Sequence, residues 1–183
     1  MRARLKIASL VVALALVFGF WINTPALAQV PVDIEVGTAP GAGLSWSVAE
    51  TSAAPPVAYS FESQSTTGAM TATVTDSRGT EQGWQVSVSA PDFAGVANPA
   101  YTIPIANFVL QPTTVNVVAG QAIPLPVANR LIMSATPQLL MSAARNSGAG
   151  RYSVLMTGVF TIPGGTPVDT YATTLTVALV SAP

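Results

Sequence analysis

Three stretches of this chain alternate apolar and polar residues with a period of two, and that period excludes a helix where it occurs. Tyr152, Val154, Met156, Phe160 and Ile162 fall on one face, with Ser153, Thr157 and Thr161 on the other. Leu175, Val177 and Leu179 alternate with Thr174, Thr176 and Ala178. Trp84, Val86 and Val88 alternate with Gln85, Ser87 and Ser89. Successive side chains of a strand point to opposite faces, so each pattern describes a strand with one side buried. Further strand candidates are residues 32–36, 44–48, 57–61 and 70–75, and Val115 and Val117 flank Asn116. Residues 131–145 read either as a helix interrupted by Pro137 or as two short strands. No other stripe at helical spacing stands out.

Turn signals separate these runs: Pro40-Gly41, Pro55-Pro56, Gly79, Pro91-Asp92, Gly120, Asn146-Ser147-Gly148 and Pro163-Gly164-Gly165. Short strands at spacings of about 8–12 residues imply a sandwich or barrel. The expectation is an all-β chain, a single antiparallel β-sandwich with Greek-key-like connections, over residues 29–183. The 22 Val and 20 Thr residues agree with it, because β-branched side chains suit strands.

Residues 1–28 read as a secretory signal peptide. Arg2, Arg4 and Lys6 form a basic start, residues 7–22 are uncharged and mostly apolar, and Ala26-Leu27-Ala28 is a small-x-small cleavage site. The apolar stretch is shorter than the roughly 20 residues of a membrane span. Cleavage leaves Gln29 first and four arginines against eight acids, a net charge of −4, with no Lys. A lipoprotein anchor needs a Cys, which the chain lacks. Residues 180–183 carry neither an apolar tail nor a basic run, so no membrane anchor is expected after cleavage.

The chain has no His and no Cys. That removes Ser-His and Cys-His nucleophile pairs, imidazole and thiolate metal sites, and disulfides. No catalytic residue, metal or cofactor is expected. Gly41-Ala-Gly43 and Gly148-Ala-Gly150 lack the helix start of a phosphate cradle. The charge balance gives no footprint for nucleic acid. Asp33 and Glu35 share one face of a strand and read as a solvated face rather than an acid/base pair or Ca²⁺ site. Trp84 opens a strand; it is either a sugar-stacking platform or, in phase with Val86 and Val88, a core residue, and the apolar phase favours the core. Asp76, Arg78 and Glu81 crowd the preceding turn. They form either a ligand-recognition cluster or an Asx-type turn held by Asp76, with Arg78 in an exposed ion pair. Trp46 and Tyr59 read as core.

Two stretches resemble the WxL domain. Residues 74–88, Val-Thr-Asp-Ser-Arg-Gly-Thr-Glu-Gln-Gly-Trp-Gln-Val-Ser-Val, resemble its first half, where a strand enters an Asp-x-Arg-Gly turn and Gly-Trp-x-Leu opens the next strand. Residues 160–179 resemble its C-terminal half: a strand, a Pro-x-Gly-Thr turn at Pro163–Thr166, a Thr-Tyr step at Tyr171, and a last Thr-Leu-Thr-Trp-x-Leu strand. The resemblance spans residues 60–183. Val86 stands where the family has Leu, and Val177 where it has its second Trp. The resemblance implies a β-rich, secreted, non-enzymatic domain that attaches non-covalently to the cell wall through peptidoglycan or partner surface proteins, with Trp84, Asp76, Arg78 and Tyr171 as candidate ligand-binding residues. The alternative is a structural subunit of a fimbria or extracellular matrix that assembles by strand addition. Its donor would be residues 29–36, ahead of the glycine-rich loop 37–43.

Overall fold

The computed structural model describes residues 27–28, 32–36, 43–80, 82–113, 115–121 and 128–182. The signal segment up to Ala26, residues 37–42 of the glycine-rich loop, and Glu81 lie outside them. Fourteen strands follow in order: β1 (Leu27–Ala28), β2 (Val32–Val36), β3 (Leu44–Ser52), β4 (Val57–Ala58), β5 (Gln64–Asp76), β6 (Trp84–Ser89), β7 (Phe93–Gly95), β8 (Thr102–Ile103), β9 (Phe108–Pro112), β10 (Asn116–Gly120), β11 (Leu131–Ile132), β12 (Gln138–Ala143), β13 (Gly150–Ile162) and β14 (Tyr171–Ser181). A 3₁₀ turn at Ile105–Asn107 is the one helical element among the described residues. Residues 131–145 take the two-strand form, as β11 and β12; Pro137, which cannot donate a backbone hydrogen bond, lies between them.

Two sheets form a sandwich. The first runs β11–β9–β13–β5–β3, and β10 continues the line of β9 along β13. In the second, β6 and β7 lie end to end along one side of β14, and β12 and β8 flank them. From β5 onward the chain crosses repeatedly between the sheets, so strands far apart in sequence pair, as a Greek-key arrangement requires. Among the main strands one pair departs from the antiparallel rule. β2 lies parallel on the free side of β14, with Val32 opposite Thr173 and Val36 opposite Val177. β1 pairs separately with β4.

The period-2 patterns become burial patterns. Tyr152, Val154, Met156, Phe160 and Ile162 of β13 are all buried, as are Leu175, Val177 and Leu179 of β14, and Trp84, Val86 and Val88 of β6. These faces meet between the sheets. Phe108 and Phe160 stack with ring centroids 4.4 Å apart, and Phe93 meets both edge-on at 6.0 Å. Trp46 is in the core as expected.

Residues 57–61 correct the sequence reading. Only Val57 and Ala58 form a strand; Tyr59 and Phe61 turn outward, 47% and 83% exposed. The cause is local. Ser60 accepts hydrogen bonds from Glu62 N at its Oγ and from Gly165 N at its carbonyl, which bends the chain before β5 can begin.

Candidate functional site

β13 runs between the two ends of the sandwich, and thirteen residues at about 3.3 Å each separate those ends by roughly 40 Å. Gly150, Asp76, Leu44, Trp84 and Ser181 lie at one end, since Gly150 pairs with Asp76, Asp76 with Leu44, and Ser181 with Trp84. Ile162, Gln64, Gly95 and Tyr171 lie at the other. The structure therefore brings Asp76, Arg78 and Trp84 together and places Tyr171 at the far end of β14. The four candidate ligand residues do not form one site.

At the first end Arg78 grips Asp76 with one edge of its guanidinium, Nε on Oδ1 at 2.9 Å and Nη2 on Oδ2 at 2.8 Å. The same Nη2 donates to the Gln82 carbonyl, and Nη1 donates to Ser181 Oγ at 2.6 Å. Asp76 Oδ1 also accepts from Arg78 N, the Asx-type turn expected from the sequence. The exposed ion pair expected there is corrected: the side chains are only 8% and 5% exposed, because β14 brings Ser181 over them. Burial opposes ionisation of Asp76. The hydrogen bonds and charge of Arg78 outweigh it and hold the carboxyl below its ordinary range, while Asp76 holds the guanidinium pKa up.

Trp84 is wholly buried in the tilted company of Tyr152, and its Nε1 donates to the Gly148 carbonyl at 3.0 Å. It has no face to offer a ligand, and the core reading of its phase is the one the fold follows. Val177 is 1% exposed, so the position of the family's second Trp also points inward.

The opposite end differs in kind. Tyr171 is buried, and its hydroxyl donates to the Pro167 carbonyl at 2.7 Å, fastening the 163–170 turn from inside. Asp169 accepts from the backbone N–H groups of Ala97, Asn98 and Thr170 at 2.7–3.0 Å. Ala97's bond leads these in holding its carboxyl below the ordinary range, against the effect of burial. Tyr101 is tied into the same loop, its carbonyl accepting from Gly95 N and its N–H donating to Asn98 O. Tyr59 and Phe61 meet edge-to-face, centroids 5.3 Å apart and planes at 80°. A Cβ at Gly164 would overlap the Phe61 carbonyl, so only glycine lets the 163–166 turn close against this loop.

Tyr59, Phe61 and Tyr101 are the exposed aromatic rings among the described residues, and all three sit at this end. Sequence reasoning missed the pair because Tyr59-Ser-Phe61 carries the alternation of a strand. The doublet Pro55-Pro56 and the Phe-Glu-Ser-Gln step that follows were the available signs of a loop.

A family model described as WxL domain, surface cell wall-binding, matches residues 44–183. Among curated proteins and solved structures, none matches the chain.

Proposed function

The chain belongs to the WxL domain family of cell wall-binding surface proteins, and we propose that it is exported with loss of residues 1–28 and holds to peptidoglycan by uncharged, non-covalent contacts. The observation that carries this reading is the inward-turned charge of the motif end. Asp76 and Arg78 neutralise each other, and Ser181 Oγ and the Gln82 and Gly83 carbonyls accept further hydrogen bonds from the guanidinium. What remains on the exported chain is three other arginines, no Lys and a net charge of −4. Such a surface has little attraction for anionic wall polymers. Apolar and hydrogen-bonding contacts are then the means of attachment, and added salt screens them little.

The assembly alternative gains no support from the fold: β2, its intended donor, already lies on the chain's own β14. Co-sedimentation with purified peptidoglycan at low and high salt tests the reading. Retention of the protein at both is the expected result. Release by salt overturns it, because only exposed charge pairs weaken that way.

A further inference from the structure

We infer that the Tyr59–Phe61 corner is a glycan contact, a place where uncharged hexosamine rings of a polysaccharide strand stack. The inference rests on the wall-binding reading above and adds to it a location and a ligand class. Seven of the ten described aromatic residues are buried, so exposure of a ring is the exception in this chain. The exceptions gather at one end of the sandwich, and Phe61, at 83%, is the most exposed large apolar side chain among the described residues.

The corner is held rigid without help from a ligand. Gln64 Nε2 donates to the Ala58 carbonyl at 2.8 Å, Glu62 N donates to Ser60 Oγ at 2.9 Å, and Gly165 N donates to the Ser60 carbonyl at 2.8 Å. The backbone that carries the rings is therefore already in place before a ligand arrives, and its ordering costs nothing on binding. The T-shaped arrangement sets the two solvent-exposed rings at 80° to each other. One face of a pyranose chair carries axial C–H groups and stacks on an aromatic face. Its hydroxyl and acetamido groups radiate at the rim, where the Tyr59 hydroxyl and the exposed Glu62 next to Phe61 offer polar partners.

Charge chooses between ligand classes. Arg145 and Arg151 lie by sequence and register at the opposite end with Arg78, while Glu62 and Asp169 belong to this one. An anionic phosphate polymer would meet the exposed Glu62 carboxylate here and no arginine from those positions. A neutral glycan meets no such penalty.

The test uses the full chain as secreted, with Phe61→Ala, Tyr59→Ala and Phe61→Trp variants. Two measurements are made: co-sedimentation with insoluble peptidoglycan, and calorimetric titration with soluble β-1,4-linked N-acetylglucosamine oligomers. Phe61→Ala should weaken both by about tenfold, the loss of a stacked ring, with an unchanged melting temperature. Phe61→Trp, which keeps a stacking face, should restore both. If wild type sediments with peptidoglycan but ignores the oligomers, or if Phe61→Ala binds like wild type, the corner is not the glycan contact and wall binding stands without it. If wild type does not sediment with peptidoglycan at all, the wall-binding reading fails and this inference falls with it.

Discussion

The two ends of the sandwich use the same kinds of residue in opposite ways. At the motif end the conspicuous side chains are enclosed: Arg78 holds Asp76 and Ser181, and the buried Trp84 indole donates to the Gly148 carbonyl. At the other end polar groups serve the backbone, through Asp169, Ser60 and Tyr171, and rings are left facing solvent. The residues most conspicuous in sequence are thus structural, and the residues free to meet a ligand sit in an inconspicuous loop. A chemically rich motif tends to be self-satisfied when buried, because an unpaired polar group inside a protein is costly. A binding surface needs groups that the fold has not already engaged.

Mutations at each end should separate stability from binding, and the largest effect belongs to the core. Trp84→Ala removes a wholly buried indole and should destabilise by about 3–5 kcal/mol in urea unfolding. A melt like that of wild type would dissolve the contrast between the ends. Arg78→Ala leaves the Asp76 carboxylate enclosed without its partner and should cost about 3 kcal/mol; restoring stability by adding Asp76→Asn to it would show that the stranded charge is the cause. Val177→Trp should destabilise by about 1–3 kcal/mol through overpacking, read from the shift in melting temperature, and should not improve wall binding, because the side chain points inward.

Acid should act through the same groups. Asp76 and Asp169 both titrate below their ordinary range in the folded chain, so the unfolded chain binds more protons as pH falls. The stability they contribute is complete above the ordinary carboxylate range and is lost as pH drops through the lower folded values. A melting series from neutral pH into that acid range should show this fall, and Asp76→Asn should flatten part of it. The smallest effect on stability should come from Phe61→Ala, within about 0.5 kcal/mol, since the ring is mostly in solvent.

The strands were legible from sequence because burial on one face writes itself as alternation. Tyr152 to Ile162 and Leu175 to Leu179 needed no other signal. Pairing was less legible: nothing in residues 32–36 states that they run parallel to β14, since partner choice depends on how residues distant in the chain meet. The enclosure of Arg78 was hidden for the same reason, as Ser181 lies 103 positions away. The aromatic corner was misread because Tyr59-Ser-Phe61 alternates like a strand. Only the bend at Ser60, fastened by Gly165 from a distant turn, sends both rings outward.

The parallel placement of β2 on β14 bears on how this domain carries tension. β2 is the more N-terminal strand and β14 the last one. A pull on the two ends of the chain draws the pair in opposite directions along their common axis. The hydrogen bonds between residues 32–36 and 173–177 lie across that direction and share the load together, in shear. An antiparallel hairpin pulled from its open end would give way one bond at a time. Forced unfolding is governed by the rate of crossing such a barrier, and stretching single molecules from both ends measures it. Ile34→Pro, which removes a backbone donor from the segment, should lower the rupture force. Loaded in this way, the β2–β14 pair resists tension as one unit rather than bond by bond.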